Sequence, residues 1–560
     1  MTPVRLGDFE LVAPIGRGGM GAVFAARHAP TGARAAVKRV SEGDDADRAA
    51  LIDEIRAVAA LDHPSVVRVY DQGLDADGAP WFAMALADRA LDRGDVDGAA
   101  LIRRLDDALS GLAHAHARGV LHLDLKPTNL LDVGGRAVLA DFGVARRIGA
   151  RDGRIRGTPR FMAPEHREGR WRDVGPWTDL YALGRTVCAW LGWPDDVPAD
   201  ALVAPTVPDG FGALLATWLA DHPDDRPASA GAALAALRAL PSPSWAGVVR
   251  VAAPVADATL ATAEAPAVRA TPTRRRAAPP PPPVVGAVPE DPPRPPDDVA
   301  VGLGLFGFRD PALVGRRAER AALWEALAGV AQTGRARFVA LRGASGSGKS
   351  RLLRWLVETA AESGVARGTV LRHDAGGGGD DLRAELAREL GVDGLERTDA
   401  IERLSQRFGP ERARTLAALL HAVSATPDET ALATRWVAES DPRPWILGLD
   451  DAQWAGRAWD VALRLLQRSE GAPVLLVATL RSDAPGVGPA AEAATDASKT
   501  ADAAAIDVGP LPDTDVERLL EEVLHLDPEL SDRLVVRAGG NALYSVQLAG
   551  HWARRGWLAP

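Results

Sequence analysis

The stretch His122-Leu-Asp-Leu-Lys-Pro-Thr-Asn129, followed by Asp141-Phe-Gly143, sets two carboxylates, an ammonium and a carboxamide close together along the chain. One carboxylate can hold a substrate hydroxyl. The other, with the carboxamide of Asn129, can hold Mg²⁺ against a triphosphate, and Lys126 can neutralise a phosphoryl group in flight. Phosphoryl transfer is mostly positioning and charge neutralisation, so this is the minimum set for it. A second set lies further on. Gly343-Ala-Ser-Gly-Ser-Gly-Lys-Ser350 has the form G-x-x-x-x-G-K-S, with Gly343, Gly346 and Gly348 as its glycines. Main-chain N–H groups of such a loop cradle phosphates, Lys349 reaches the β- and γ-oxygens, and the Ser350 hydroxyl is placed for Mg²⁺. The apolar run Trp445–Asp450 ends in paired acids. Asp450 would hold the Mg²⁺ shell and Asp451 would polarise an attacking water. Arg481, at the end of the run Val474–Leu480, could sense the γ-phosphate.

Lysine usage points to the same places. Of 65 basic residues in 560, only Lys38, Lys126, Lys349 and Lys499 are lysines. A chain that uses arginine almost everywhere keeps lysine where a compact point charge is needed. Three of the four lie in phosphate-handling motifs.

The elements that must position these groups are legible in the patterning. Residues 8–40 read as strand, Gly-rich turn, strand, turn, strand. The turn Ile15-Gly-Arg-Gly-Gly-Met-Gly-Ala-Val23 has glycine at 16, 18 and 21, which lets the backbone lie close over phosphates. Lys38 ends the apolar strand Ala35-Ala-Val-Lys38. Leu51, Ile55, Val58 and Leu61 give a helix over 46–61, and Leu101, Leu105, Leu109 and Leu112 one over 99–118. His114 and His116 on that helix are two apart and do not face one site, so they read as packing or surface residues and not as metal ligands. Gly119–Leu123, Ala137–Ala140 and Trp81–Ala87 read as strand pieces. Around the second set, a helix over 318–331, a strand at Phe338–Arg342 and a helix over 351–361 enclose the phosphate loop. Ser482–Ala505 reads as a loose Ala-rich loop.

In the first half, H-x-D-L-K-P-x-N with the following D-F-G resembles the catalytic loop and metal-binding segment of the protein-kinase family. The resemblance covers about residues 8–240, with its landmarks in family order. It implies that Asp124 accepts the substrate proton, that Lys126 meets the γ-phosphate, and that Asn129 and Asp141 bind Mg²⁺. Lys38 would contact the α- and β-phosphates, paired by Glu54, with Asp53 a distant rival. Gly16, Gly18 and Gly21 would cover the phosphates. Ile15, Val23, Ala36, Met84 and Leu131 would surround the adenine, Met84 as gatekeeper, and Ala85–Ala87 would meet the adenine edge. The acid usual after the gatekeeper is replaced by Ala85. Gly157-Thr-Pro-Arg-Phe-Met-Ala-Pro-Glu165 resembles the segment that cradles the substrate, with Thr158 near Asp124 and Lys126. Thr158 and Lys126 both favour Ser/Thr over Tyr substrates. Asp179 would tie down the catalytic loop and Arg226 would pair with Glu165. One departure is Leu123, where most members carry the arginine that reads an activation-segment phosphate. Residues 144–156 contain no Ser, Thr or Tyr, so an activation segment not switched by phosphorylation there is expected.

Bulk properties fit a soluble multidomain chain. The formal net charge is −10 and 47% of residues are apolar. No basic stripe suggests a nucleic-acid surface, and Arg274–Arg276 lie in a Pro-rich segment. Cys188 is the only cysteine, which excludes an intrachain disulfide and suits a reducing, cytoplasmic setting. No signal peptide is visible, and Ala246–Ala270 is broken by Arg250, Asp257 and Glu264, so no membrane span is expected. Residues 241–310, with Pro279–Pro283 and the Pro-rich stretch 289–296, read as a flexible, semi-stiff linker. Thr271 and Thr273 within it are candidate autophosphorylation sites.

The second half resembles the AAA-related signalling ATPases called STAND. Val314-Gly-Arg316, Asp450-Asp-Ala-Gln-Trp454 and Gly539-Gly-Asn-Ala-Leu543 carry the match. Ala542 stands where that family has proline, so a lid contact to adenine is not carried over.

The expected architecture is multidomain. It comprises an N-terminal bilobal protein-kinase fold (α+β) over 8–240, a linker over 241–310, and a C-terminal α/β P-loop core over 311–484 with a helical lid over 506–560. The expected activity is transfer of the ATP γ-phosphate to a protein Ser/Thr hydroxyl with ATP and Mg²⁺, coupled to a regulatory ATPase module. The rivals are an ATP-binding pseudokinase scaffold, and a chain whose output is the ATPase half.

Overall fold

A computed structural model describes residues 4–18, 21–39, 52, 55, 57–92, 94–142, 145–148, 154–192, 210–240, 248–251, 260–264, 283–289, 313–375, 381–422, 425–467, 471–483, 503–520, 526 and 528–554. The small lobe is an antiparallel sheet of β1 (Arg5–Leu6), β2 (Phe9–Gly18), β3 (Gly21–His28), β4 (Arg34–Arg39), β5 (Val69–Leu74) and β6 (Pro80–Ala85), in the order β1-β2-β3-β4-β6-β5. In β4 four successive residues, Ala35 to Lys38, are buried, because β4 is covered on both faces. Lys38 stands opposite Val23 on β3 and Phe82 on β6, under the glycine-rich turn. Of the helix expected over 46–61, Ile55, Val58 and Leu61 are buried against the large lobe. Glu54 and Asp53 lie outside the described residues.

The large lobe begins after β7 (Arg89–Ala90) and β8 (Gly94–Asp97) with α1 (Gly98–Ala117). Leu101, Leu105, Leu109 and Leu112 recur every three or four residues, and all four are buried. This stripe faces α3 (Pro176–Trp190), α4 (Phe211–Trp218) and α5 (Ala230–Arg238) in one apolar cluster, reached after the short α2 (Pro164–Arg167). Gly119, at φ +76°, turns the chain into the short β9 (Val120–Leu121). The hairpin of β10 (Leu130–Val133) and β11 (Arg136–Leu139) closes through Gly134 and Gly135. Both have positive φ, at 59° and 84°, as a two-residue turn of the right twist requires. This hairpin delivers Asn129 and Asp141 at its two ends.

Residues 146–147 and 154–157 are held by main-chain pairing. β12 (Arg146–Arg147) pairs with β9, and β13 (Arg154–Gly157) pairs with β15 (Leu260–Glu264). β14 (Val248–Val251) likewise pairs with β8. Both β14 and β15 fall in the stretch expected to be a flexible linker, so that expectation is corrected where the stretch is described. Residues 283–289 also pack: Trp324 Nε1 donates to Gly286 O at 2.9 Å, and Val285 and Val288 lie on the second domain's core. Thr271 and Thr273 lie outside the described residues.

The second domain contains α6 (Arg317–Thr333), β16 (Arg337–Gly343), α7 (Lys349–Glu362), β17 (Arg367–Arg372), α8 (Leu382–Glu389), α9 (Arg397–Phe408), α10 (Pro410–Leu420), α11 (Pro427–Glu439), β18 (Trp445–Asp450), α12 (Arg457–Gln467), β19 (Val474–Arg481) and β20 (Ala503–Asp507). Its sheet is parallel throughout, in the order β17-β18-β19-β16-β20. The near-continuous burial of β16, β18 and β19 is that of strands covered on both faces. The helix expected over 351–361 begins two residues earlier, at Lys349, so Gly348 is its N-cap as well as the last glycine of the phosphate loop. β20 corrects the loop expected over Ser482–Ala505, whose last residues, 503–505, form this edge strand. Its Ala-rich, half-exposed sequence carries little strand signal; pairing with β16 sets its conformation. In the stretch expected to be a helical lid, α13 (Asp513–Arg518), α14 (Pro528–Ala538) and α15 (Ala542–Arg554) gather around a small apolar cluster of their own. No helix among the described residues is long and apolar enough to cross a membrane.

Candidate phosphoryl-transfer and nucleotide sites

The loop 122–129 hangs from one buried carboxylate. Asp179, near the start of α3, accepts the main-chain N–H of His122 at 2.8 Å and of Leu123 at 2.7 Å. His116 Nε2 donates to the same carboxylate at 2.9 Å. Burial raises the Asp179 carboxyl, but the His116 hydrogen bond and charge outweigh it and hold its pKa below the ordinary value. Leu123 is buried at φ +62°, a conformation a leucine adopts only when its surroundings impose it. The two N–H contacts to Asp179 impose it here. His122 Nε2 donates to Ala140 O at 3.0 Å, and its ring packs on Phe142 at 4.5 Å between centroids. The loop and the segment carrying Asp141 are thereby fixed to each other.

The chemistry-bearing groups converge on this frame. Asp124 Oδ1 accepts from Thr158 N at 2.8 Å and Thr158 Oγ1 at 2.9 Å. Lys126 Nζ lies 3.0 Å from Asp124 Oδ2 and donates to Thr158 Oγ1 at 2.8 Å. Asn129 Nδ2 donates to Asp124 O at 2.9 Å, which turns its carbonyl oxygen away from the loop. Lys38 Nζ donates to Asp141 Oδ1 at 2.9 Å across the lobes. Burial raises the Asp141 carboxyl, and the Lys38 charge and hydrogen bond more than reverse it, so Asp141 stays a carboxylate. Gly16, Gly18 and Gly21 lie on β2 and β3, with Val23 opposite Gly16 and Ile15 exposed above. Ala36 is buried opposite Met84, and Leu131 is partly buried against the core. Glu165 and Arg226 form a fully buried bidentate pair, at 2.7 and 3.0 Å.

The second site forms where β16, β18 and β19 end together, the ligand edge of a parallel sheet. The phosphate loop leaves β16 at Gly343 and enters α7 at Gly348. Gly348 has φ +99°, in the left-handed region that glycine adopts without strain, and a Cβ there would meet nothing within 4 Å. The backbone conformation, and not crowding, therefore calls for glycine at 348. Its turn starts α7 at Lys349, so the unpaired N–H groups of the helix's first turn open onto the loop. Ser350 Oγ donates to Asp450 Oδ1 at 2.7 Å, as does Thr479 Oγ1 at 2.7 Å. Asp451, at φ +51°, donates its N–H to Thr479 Oγ1 at 2.8 Å. Lys349 Nζ donates to the loop carbonyls of Gly343 at 2.9 Å and Ala344 at 2.7 Å. Burial lowers the Lys349 pKa, opposed by Asp451 and Asp483. Arg481 pairs with Asp483 at 3.3 Å, and Asp483 accepts from Ser345 N at 3.3 Å. The lid reaches the loop. Asn541 Nδ2 donates to Ser345 O at 3.0 Å while its Oδ1 caps α15 through Tyr544 N at 3.0 Å. Gly346, at φ +77°, carries no Cβ where Asn541 sits, its Cγ 2.9 Å from that position. Arg316 Nη2 donates to Ser347 O at 3.0 Å. A cavity of about 440 Å³ opens between Gly343, Ser345, Val508 and Gly540.

Sequence reasoning passed over His116, Thr479, Asp483 and Asn541 as site residues. His116 carried a signal. Two residues apart on a helix means about 200° of rotation, so His114 and His116 serve different partners. One turns to Asp179, the other to His63 and Glu362.

Fold and sites together define a bilobal protein kinase domain joined to a P-loop ATPase domain. The family described as protein kinase domain matches residues 9–192, and the family described as AAA ATPase domain matches residues 312–477. The chain is similar to the DNA damage-responsive serine/threonine-protein kinase RqkA of Deinococcus radiodurans, 35% identical over 43% of this chain and 41% of that protein. It is also similar to the serine/threonine-protein kinase Pkn1 of Myxococcus xanthus, 34% identical over 41% of this chain and 38% of that protein. A third relative is the serine/threonine-protein kinase PknH of Mycobacterium tuberculosis, 32% identical over 42% of each chain. The chain thus spans about four tenths of the length of these curated relatives.

Proposed function

We propose that the chain is an ATP-dependent serine/threonine protein kinase carrying a second nucleotide site in its ATPase domain. The observation that carries the reading is the convergence of Lys38, Asp124, Asn129 and Asp141 beneath the glycine turn, with Lys38 on Asp141 at 2.9 Å. Asp124, held by Thr158 and Asn129, takes the hydroxyl proton of the protein substrate. Lys126 balances charge on the transferring group. The oxygen donors of Asn129 and Asp141 suit a hard cation such as Mg²⁺, which would neutralise phosphate charge. Ser350 and Asp450 offer the same donor chemistry in the second site. Lys349 and the loop N–H groups from Gly343 to Gly348 bind phosphate there, Asp451 orients water, and Arg481 is poised beside the phosphate loop. Both sites draw on ATP, and Cys188 is a buried free thiol, which supports a cytoplasmic setting.

Residues 144–156 carry no Ser, Thr or Tyr, which supports a kinase not switched by phosphorylation there, and the described residues 146–147 and 154–157 are held instead by main-chain pairing as β12 and β13. Phosphopeptide mapping of active protein tests this, and an essential phosphate on Thr158, just beyond that stretch, would weaken it. The main reading is tested by transfer of radiolabelled γ-phosphate to a Ser/Thr protein substrate by the full chain. Asp124→Asn is expected to lose about 10²–10⁴-fold in rate while still binding ATP. Equal rates in the two proteins would leave a nucleotide-binding scaffold.

A further inference from the structure

The C-terminal end of α7, the helix that starts at the phosphate loop, lies on the kinase large lobe. Glu358 and Glu362 are four apart and share a face, and so do His114 and Arg118 at the end of α1. Arg118 Nη2 lies 3.1 Å from Glu358 Oε2, and Arg118 Nη1 donates to Glu362. Glu362 Oε1 lies 2.7 Å from His114 Nδ1. Arg118 Nη1 also donates to His114 O at 3.1 Å, which fixes its head. The other side of the His114 ring packs on His63, with centroids 5.0 Å apart. The backbones touch beside this clasp. A Cβ on Gly231, in the first turn of α5, would meet Glu362 O, with Gly364 N at 2.6 Å and Ser363 C at 2.8 Å. Gly364, at φ +71°, would in turn place a Cβ 2.8 Å from Gly231 C. A second contact lies apart from the first: Arg403 on α9 reaches Asp173 Oδ1 at 2.8 Å and Arg172 O at 3.0 Å. Arg172 Nη2 donates to Asp393 O at 3.2 Å.

Isolated surface ion pairs contribute little. Here two glycines on opposite domains leave room for each other's backbone, and the charged groups at their side are largely buried. We propose that the ATPase domain is a built-in docking partner of the kinase large lobe, clasped through the acidic end of its phosphate-loop helix. The clasp couples the two nucleotide sites. From Lys349 to Glu358 is about 14 Å of continuous helix. On the kinase side, His116, between His114 and Arg118, holds the Asp179 carboxylate that suspends the catalytic loop. Coupling between sites is reciprocal, so each nucleotide alters the other's affinity by one factor. The coupling rests on the two-site reading above; the docking does not.

Small-angle scattering of the full chain tests the docking. Gly231 lies in α5 without a left-handed φ, and the nearest atoms a Cβ there would meet are those of Glu362, Ser363 and Gly364, so Gly231→Leu obstructs that approach. It is expected to raise the radius of gyration with both nucleotide sites still binding. Arg118→Glu should do the same, and adding Glu358→Arg and Glu362→Arg to it should restore the compact particle. Scattering unchanged by Gly231→Leu, or no restoration in the triple variant, overturns the docking. For the coupling, Lys349→Ala is expected to change the Kd of the kinase site for ATP about fivefold or more in the parent chain and to leave it unchanged in Gly231→Leu. An equal effect in both backgrounds overturns the coupling. A parent chain without phosphate transfer defeats the kinase reading, and the scattering result still decides the docking.

Discussion

Lys38 Nζ and Asp141 Oδ1 stand 2.9 Å apart although 103 residues of chain separate them. The pair ties the small-lobe sheet to the end of the β10–β11 hairpin. The Lys38 side chain is largely buried but half of the Asp141 side chain is exposed, so water reaches the pair from one side and screens it. Lys38→Met should therefore shift unfolding by under about 1 kcal/mol. It should lower phosphate transfer by about 10²–10³-fold, the scale of losing one preorganised charge. Thermal unfolding and a rate assay on one preparation check both halves.

Asp179 is fully buried and accepts three donors, so its replacement is felt in the loop before it is felt at ATP. Asp179→Asn turns an N–H₂ toward main-chain N–H groups and leaves one unsatisfied, at about 1–3 kcal/mol. The expected result is a fall in kcat with KM for ATP nearly unchanged, read from steady-state kinetics. His116→Ala, which removes one of the three donors, should follow in the same direction with a smaller loss.

Glu165 and Arg226 lie completely buried below the substrate segment. Removing one partner strands the other's charge, so Arg226→Met should cost about 3–5 kcal/mol. Glu165→Leu added to it should recover much of the loss in denaturant unfolding, because the pair's desolvation is then gone as well. If the double variant is as unstable as the single, the pair does more than satisfy itself.

Burial lowers the His63 pKa from 6.5 to about 3, with further lowering from the charges of His114, Arg118 and Arg136 and a partial offset from Glu362. Its ring stays neutral in the fold: Nδ1 accepts Ser65 N at 3.0 Å, and Nε2 faces Ser110 Oγ at 3.2 Å. The unfolded chain takes up a proton below pH 6.5 and the fold does not. Stability should then fall as pH drops from about 6.5, by at most about 1.4 kcal/mol per unit. His63→Asn should flatten that window in unfolding curves. Glu362 acts lower. Burial raises its carboxyl, but His114 and Arg118 outweigh this and hold it at about 2, so its contribution is present above about 4.5 and lost as pH falls toward 2.

Among the described residues, Lys349 Nζ hydrogen-bonds the carbonyls of its own loop, Gly343 and Ala344. Lys349→Ala should lower nucleotide stoichiometry in equilibrium dialysis from two per chain to one. Two sites of unchanged affinity in that variant would remove the phosphate loop from the account.

Much of this was legible because phosphate chemistry constrains local sequence. Gly16, Lys38 and the loop 343–350 reveal themselves by spacing, and the leucine stripe of α1 by period. Gly348 shows in the sequence as a motif glycine, but its second duty, starting α7 at Lys349, shows only in the backbone. What stayed hidden depends on partners far along the chain. His116 reads as an ordinary helix residue until α3 brings Asp179 to it, 63 residues on. Glu362 stands just past the helix expected over 351–361, and only the fold brings it to α1. β15 and β20 have weak strand sequences whose conformation comes from the strands they join, whereas the Val-rich β14 did carry a strand signal, too short to stand out beside the Pro-rich stretch that follows. Leu123 reads as a departure from the arginine usual there, and only the fold shows it buried and bent by Asp179.

The central claim, that Lys38 and Lys126 attend one triphosphate and Lys349 another, is open to direct chemical reading because the chain has four lysines. A lysine-reactive acyl-phosphate derivative of ATP, followed by peptide mass spectrometry of the full chain, reads all four together. The account predicts labelling of Lys38, Lys126 and Lys349 over Lys499, with ATP protecting Lys38 and Lys126 along one shared concentration curve. Labelling of Lys38 no stronger than Lys499, or separate protection curves for Lys38 and Lys126, would contradict it.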